Sequence, residues 1–206
     1  MRKTVLALAA MFALMGAAQA SSNLVTDGTF LNGDNGLADW NPSFTDEPSD
    51  SANVQHFSGP DTVFGSSITC SPASSCLAAG PISGATISQQ VATLAPGAYT
   101  LSFDIVSSAT GPNPAQDIST FGAIFGNALV YSSDTTVIDP WQHVALNVIA
   151  SAPSTQLSFS FLTPPGAYYL TNVSVTEGAL AVPEPQSYAM LLAGLAVLGW
   201  AARRRA

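Results

Sequence analysis

Between Thr4 and Ala202 the sequence has no lysine and no arginine; its five bases are Arg2, Lys3, Arg203, Arg204 and Arg205. Nucleic-acid recognition needs cations to neutralise phosphates, which excludes that function for nearly the whole chain. A Walker-type phosphate loop needs a lysine and is excluded too. Charged residues make up 9% of the chain, against roughly 25% in an ordinary soluble domain. Cysteine is scarce: Cys70 and Cys76 are the only two, and they lack Cys-x-x-Cys redox spacing. The two histidines, His56 and His143, have no His-x-x-x-His metal spacing and read as strand residues. No Gly-x-Ser-x-Gly elbow occurs, and no serine triad can be assembled from the sequence.

What is present is apolar and acidic. Hydrophobic residues are 47% of the 206, which argues against disorder, and the length fits one domain plus appendages. Thirteen acids against five bases give a formal net charge of −8, and twelve of those acids fall within residues 21–181. A uniformly acidic domain repels anionic polymers and favours cations or neutral sugars.

The two ends read as address signals. In residues 1–20, Arg2 and Lys3 form a positive start and 5–15 an apolar run. Ala18-Gln19-Ala20 is a small-x-small cleavage site before Ser21, so a secretory signal peptide is expected. An uncleaved anchor is the competing reading, but the run is short of the ~20 residues of a span. A second apolar run, 188–202, carries no charge, has Tyr188 and Trp200 near its ends, and is followed at once by Arg203–Arg205. It reads as a single transmembrane helix with the arginines on the cytoplasmic side and the preceding chain outside. A buried core helix is the alternative. Export also sends Cys70 and Cys76 to an oxidising compartment, where a disulfide closing a small loop is expected.

Val182-Pro183-Glu184-Pro185, the apolar run with Gly194-Leu195 in its middle, and Arg203-Arg204-Arg205 come in that order. Residues 182–206 thereby resemble the PEP-CTERM protein-sorting signal. The resemblance implies a route. After passage through the secretion translocon, an inner-membrane precursor holds its domain in the periplasm. A membrane-embedded protease, exosortase, reads the Pro-Glu-Pro region and removes the tail. The family is associated with Gram-negative bacteria that make exopolysaccharide, so the implied destination is the cell surface or the extracellular biofilm matrix. The physics is compatible with this: Pro183 and Pro185 hold the backbone extended, as a protease substrate requires. Glu184 gives that segment one charge, and the arginines act as a membrane stop.

Residues 21–181 alternate with period two. Tyr99, Leu101, Phe103 and Ile105 form one such set, Val144, Leu146 and Val148 a second, and Leu157, Phe159 and Phe161 a third. Tyr169, Val173 and Val175 are expected to share one face, with Thr171 between them. Turns at 95–97, 111–114, 139–140 and 163–166 separate the runs. No stretch has a convincing helical period, and 33–50 reads as a long acidic loop with one short strand. The expectation is an all-β, jelly-roll-like β-sandwich.

Several segments resemble the galactose-binding-like jelly rolls, which include many carbohydrate-binding modules. Asn23-Leu24-Val25-Thr26-Asp27-Gly28-Thr29-Phe30 is similar to their first strand, followed by Trp40. Residues 87–91 and 96–101 are similar to their paired middle strands, and 168–175 to their closing strand. The resemblance implies a structural calcium ion between first and last strands, with Asp27 as a ligand. This chain departs from that pattern in having Leu31 and Thr171 where acids are common.

The function expected is that of a non-enzymatic surface or matrix protein, with no cofactor beyond that calcium. The alternative is a carbohydrate-binding module that retains exopolysaccharide, with Trp40, Trp141 and Tyr168 as glycan contacts and Tyr131 and Tyr169 as further candidates. A third reading, a secreted glycoside hydrolase, needs a carboxylate pair. Asp104, mid-strand in Phe103-Asp104-Ile105, is its best candidate, but alternation puts it on a polar face as a solvated residue.

Overall fold

A computed structural model describes residues 21–46, 49–58, 60–61, 68–80, 82–94, 96–108, 119–134, 138, 140–163, 166–178 and 203. The expected signal peptide, the Pro-Glu-Pro segment and the apolar run 188–202 lie outside these residues, as does the turn at 111–114. Among the described residues no helix is long and apolar enough to cross a membrane.

The elements in chain order are β1 (Asn41–Phe44), α1 (Ser49–Ala52), β2 (Val54–Phe57), β3 (Pro60–Asp61), β4 (Ile68–Thr69), β5 (Cys76–Ala79) and β6 (Ala85–Val91). They continue with β7 (Gly97–Ser108), β8 (Thr120–Phe125), β9 (Ala128–Asp134), β10 (Gln142–Ala150), β11 (Thr155–Leu162) and β12 (Ala167–Glu177). Two five-stranded sheets form, ordered β1-β6-β11-β8-β9 and β10-β7-β12-β5-β2, with a small β3-β4 hairpin beside them. Every pairing is antiparallel. From β10 onward each strand lies in the sheet opposite its predecessor, which is the sandwich expected from many short alternating strands.

The alternation in β7 and β11 is realised: Leu101, Phe103, Ile105, Leu157 and Phe159 are fully buried between the sheets. At the centre Phe103 packs against Phe121, Tyr131 and Phe159, with ring centroids 5.8, 5.5 and 5.4 Å apart. Phe121 extends the cluster to Phe161 and Tyr168. The crossover from β6 to β7 is tied by the Tyr99 hydroxyl, which donates to the Thr93 carbonyl. That tie matters because β6 and β7 lie in different sheets and do not pair with each other, contrary to the paired middle strands expected.

Two further expectations are corrected. Residues 23–30 do not form a ladder strand. They are an irregular segment pinned to β12 by Leu24 N–H donating to the Val175 carbonyl and Val173 N–H to that of Gly28. The Asn23 side chain adds bonds to Val173 and Val175, and a Cβ at Gly28 would overlap the Val173 carbonyl. Buried Gln89 of β6 holds the same segment from the other sheet, accepting from Thr26 N–H and donating to the Thr26 and Asp39 carbonyls. The second correction concerns β12. Its register with β7 shifts between Thr171 and Ser174, with Asn172 at φ 51°. The extra residue reverses the parity. Tyr168, Leu170, Val173 and Val175 therefore face the core, and Tyr169 faces out with Ala78, Val106 and Ala167.

Candidate outer-face site

The outer face of the second sheet is built from positions that alternate with the core. Register places Tyr169 of β12 between Ala78 of β5 and Val106 of β7. Phe57 packs edge-on against Tyr169 at 5.6 Å, and Ile68 and Trp141 flank the same apolar cluster. One residue pair further along, Thr171 lies opposite Asp104, and Asp104 opposite His143.

Asp104 is the polar centre of this face. Its Oδ1 lies 2.7 Å from His143 Nδ1, and its Oδ2 accepts from Asn172 Nδ2 at 2.6 Å. The Asp104 side chain is 12% exposed and that of His143 62%, so the carboxylate sits at the base and the imidazole at the rim. A carboxylate only accepts, so the ring is oriented with Nδ1–H inward and Nε2 free to face solvent. The expectation of a solvated Asp104 is half right. The face is polar, but the β12 bulge brings Asn172 over the carboxylate and buries it.

The loop from Cys70 to Cys76 walls the site. The two cysteines are disulfide-bonded, with Cα atoms 5.8 Å apart, as expected. Two of its backbone carbonyls, and that of the adjoining Thr69, accept side-chain bonds: Thr69 from Trp141 Nε1, Pro72 from Asn172 Nδ2 and Ser75 from Thr171 Oγ1, at 2.9, 3.0 and 2.7 Å. Asn172 thus bridges the loop and Asp104. The result is a half-buried indole, an imidazole, an amide and a carboxylate along one face. Such a set can pack the C–H face of a sugar ring and hydrogen-bond its hydroxyls.

The other candidate residues are placed elsewhere. Trp40 is 4% exposed, packs on Phe30 and Phe159, and donates its indole N–H to the Asp27 carbonyl. Tyr168 is 1% exposed, in the core. Neither presents a face to a glycan; both are large apolar groups on inward positions. Tyr169 is fully buried under Phe57. Tyr131 packs on the core aromatics, and burial raises its phenol above the ordinary value. Asp27 does not fit a calcium ion. Its two oxygens accept the N–H groups of Leu31 and Asn32, closing a tight turn at φ 50°. Among the described residues no three His, Cys, Asp or Glu side chains gather to hold a metal. His56 and His143 lie on β2 and β10, opposite edges of one sheet, and do not meet. The partnership of Asp104, His143 and Asn172 was not legible in the sequence, because the bulge that creates it has no glycine to announce it. Strand register alone would have paired Asp104 with His143.

The PEP-CTERM protein-sorting motif matches residues 181–205. No curated protein matches the chain. Among solved structures, TmCBM61 in complex with beta-1,4-galactotriose is similar at 13% identity and a TM-score of 0.55, covering 77% of this chain and 100% of that one. The K3 cleaved adhesin domain of Lys-gingipain from Porphyromonas gingivalis W83 is similar at 14% identity and a TM-score of 0.51, covering 77% and 100%. The Clostridium thermocellum Xyn10B CBM22-1-GH10 modules complexed with xylohexaose are similar at 12% identity and a TM-score of 0.50. There the likeness covers 79% of this chain but 30% of the larger one. At such identities the likeness concerns the fold. The chain thus carries a PEP-CTERM protein-sorting motif behind an all-β sandwich of the kind seen in carbohydrate-binding jelly-roll modules.

Proposed function

We propose that this chain is the exported precursor of a non-enzymatic surface or matrix protein. In this reading 1–20 is a signal peptide, 21–181 the working domain and 182–206 a tail removed by an exosortase. The observation that carries it is the sorting motif at 181–205, following a chain without bases since Thr4. Val182, Pro183, Glu184 and Pro185 are the recognition stretch, and Arg203, Arg204 and Arg205 hold the precursor in the membrane. The test is the intact mass of the C-terminus of protein recovered from its native host. A chain ending near Pro183–Pro185, free or with an added mass, supports sorting. A chain still ending in Arg205-Ala206 means a plain membrane tail and defeats the reading.

A second reading assigns the domain carbohydrate binding. It is favoured by Trp141 beside the Asp104, His143 and Asn172 cluster, and by a fold shared with a protein solved in complex with beta-1,4-galactotriose. Both Asp104 oxygens are held by a histidine and an amide, an arrangement suited to positioning hydrogen bonds. With no lysine or arginine in the domain, the ligand is a neutral polysaccharide. Calorimetry against the host's exopolysaccharide tests this. Heat that is lost in Trp141→Ala supports it, and a flat trace with the wild-type chain counts against it.

A further inference from the structure

The sandwich has two unlike ends. At one end Val91 lies opposite Thr155, Ala128 opposite Phe125, Ala150 opposite Gly97 and Glu177 opposite Tyr99. The turns that join these strands, 92–96, 126–127 and 151–154, contain no charged residue, and of the strand-end residues only Glu177 is charged. At the other end Phe44 lies opposite Ala85 and Val54 opposite Ala79. That end is acidic: Asp46 and Asp50 lie between β1 and β2, and Asp134 closes β9. The two most exposed large apolar side chains of the described residues sit at the uncharged end, Leu94 at 71% and Ile149 at 80%. Leu94 N–H donates to the Pro153 carbonyl, so the turns 92–96 and 151–154 meet there. Leu94 also holds φ 52°, a left-handed backbone in which glycine or asparagine is usual and leucine is not. In water neither its backbone nor its exposure stabilises the fold.

The chain leaves by the same end. Gly178 N–H donates to the Ala98 carbonyl, and Ala98 lies opposite Ile149, so the exit is two strands from Ile149, about 10 Å. Nine residues, 179–187, separate Gly178 from the apolar run that begins at Tyr188. They reach at most ~30 Å. The twelve residues of β7 run about 40 Å from end to end. A tether so short brings the uncharged end to a bilayer and cannot bring the acidic end there. We propose that in the precursor this end rests on the extracytoplasmic surface of the membrane, with Leu94 and Ile149 entering the lipid headgroup region. The proposal rests on reading 188–202 as a membrane span. Two side chains would not hold a free domain, but a short tether raises the effective concentration to about millimolar, so little affinity is needed. With no lysine or arginine in the domain, anionic headgroups offer no attraction; the contact is apolar, and neutral lipid suffices. Removal of the tail removes the tether, and the contact ends with it.

The test uses the full 206-residue chain, expressed in a bacterium without a sorting protease and reconstituted into phosphatidylcholine vesicles. With the Cys70–Cys76 disulfide closed, a polarity-sensitive fluorophore is attached through Ala152→Cys, beside Pro153, or in a separate sample through Ser132→Cys, toward the acidic end. Both positions are exposed. Emission at position 152 is expected to shift to the blue and to be quenched by lipid carrying a nitroxide at headgroup depth, and emission at position 132 is not. Leu94→Asn with Ile149→Thr keeps residue types suited to the turn and the strand, so the fold is retained. It is expected to abolish the shift at position 152 while the chain still floats with the vesicles. A chain that does not float defeats the tail reading and the proposal together. A floating chain whose position 152 stays in water, whose shift survives the double substitution, or which shifts equally at position 132 overturns the proposal and leaves the tail reading standing.

Discussion

Asp104, Asn172 and Gln89 are polar side chains that the fold has buried or half-buried and then satisfied. Asp104 holds His143 and Asn172, and Asn172 in turn holds the Pro72 carbonyl. Asp104→Ala removes the acceptor and leaves a half-buried amide with one partner, so the expected cost is about 1–3 kcal/mol in urea unfolding. Gln89→Ala orphans the Thr26 amide and two carbonyls at once and is expected to cost at least as much, with loosened protection of 23–30 in hydrogen exchange. Tyr131 gives a pH prediction. Burial holds its proton in the folded state above pH ~10, where the unfolded chain releases it. The native state therefore binds more protons there, and stability falls as pH rises through that range. Urea midpoints between pH 9 and 11 should show the fall, and Tyr131→Phe should lessen it.

Two short elements decide the shape of the outer face: the β12 bulge and the Cys70–Cys76 loop. The bulge explains why part of the site escaped a sequence reading. Period two is legible in Tyr99 to Ile105 and in Leu157 to Phe161, and those runs became β7 and β11. Carried through 169–175, the same period put Tyr169 on the face of Val173, and the extra residue at Asn172 undid it. The opening segment misled for a related reason. Its apolar residues are held by side-chain bonds from Asn23 and Gln89, which no periodicity encodes. The pairing of cysteines was legible because only two exist and one compartment suits them. Reduction of the disulfide, or Cys70→Ser, should leave the sandwich folded, since the core lies on the other side of the sheet. It should loosen the carbonyls that hold Trp141 and Asn172. The measurement is Trp fluorescence together with polysaccharide binding, and the expected result is a loss of binding larger than the loss of stability.

For the molecule as a whole, the distribution of charge governs behaviour. Trypsin cuts after lysine and arginine, so even a denatured chain should yield one large fragment, residues 4–203. A mass spectrum of the digest checks this. If the tail has been removed in the host, the fragment ends short of Arg203, which makes the digest a direct assay for sorting.

The disulfide clasp also has a consequence in time. The carbonyls that orient Trp141 and Asn172 are those of Thr69, next to the Cys70–Cys76 loop, and of Pro72 within it, and the disulfide closes that loop. In a reducing compartment the chain lacks that closure. On the proposed export route, the outer face is therefore finished only after the chain has left the compartment of its synthesis. On the sugar-binding reading, capture of a ligand would then be deferred until the protein has reached an oxidising compartment.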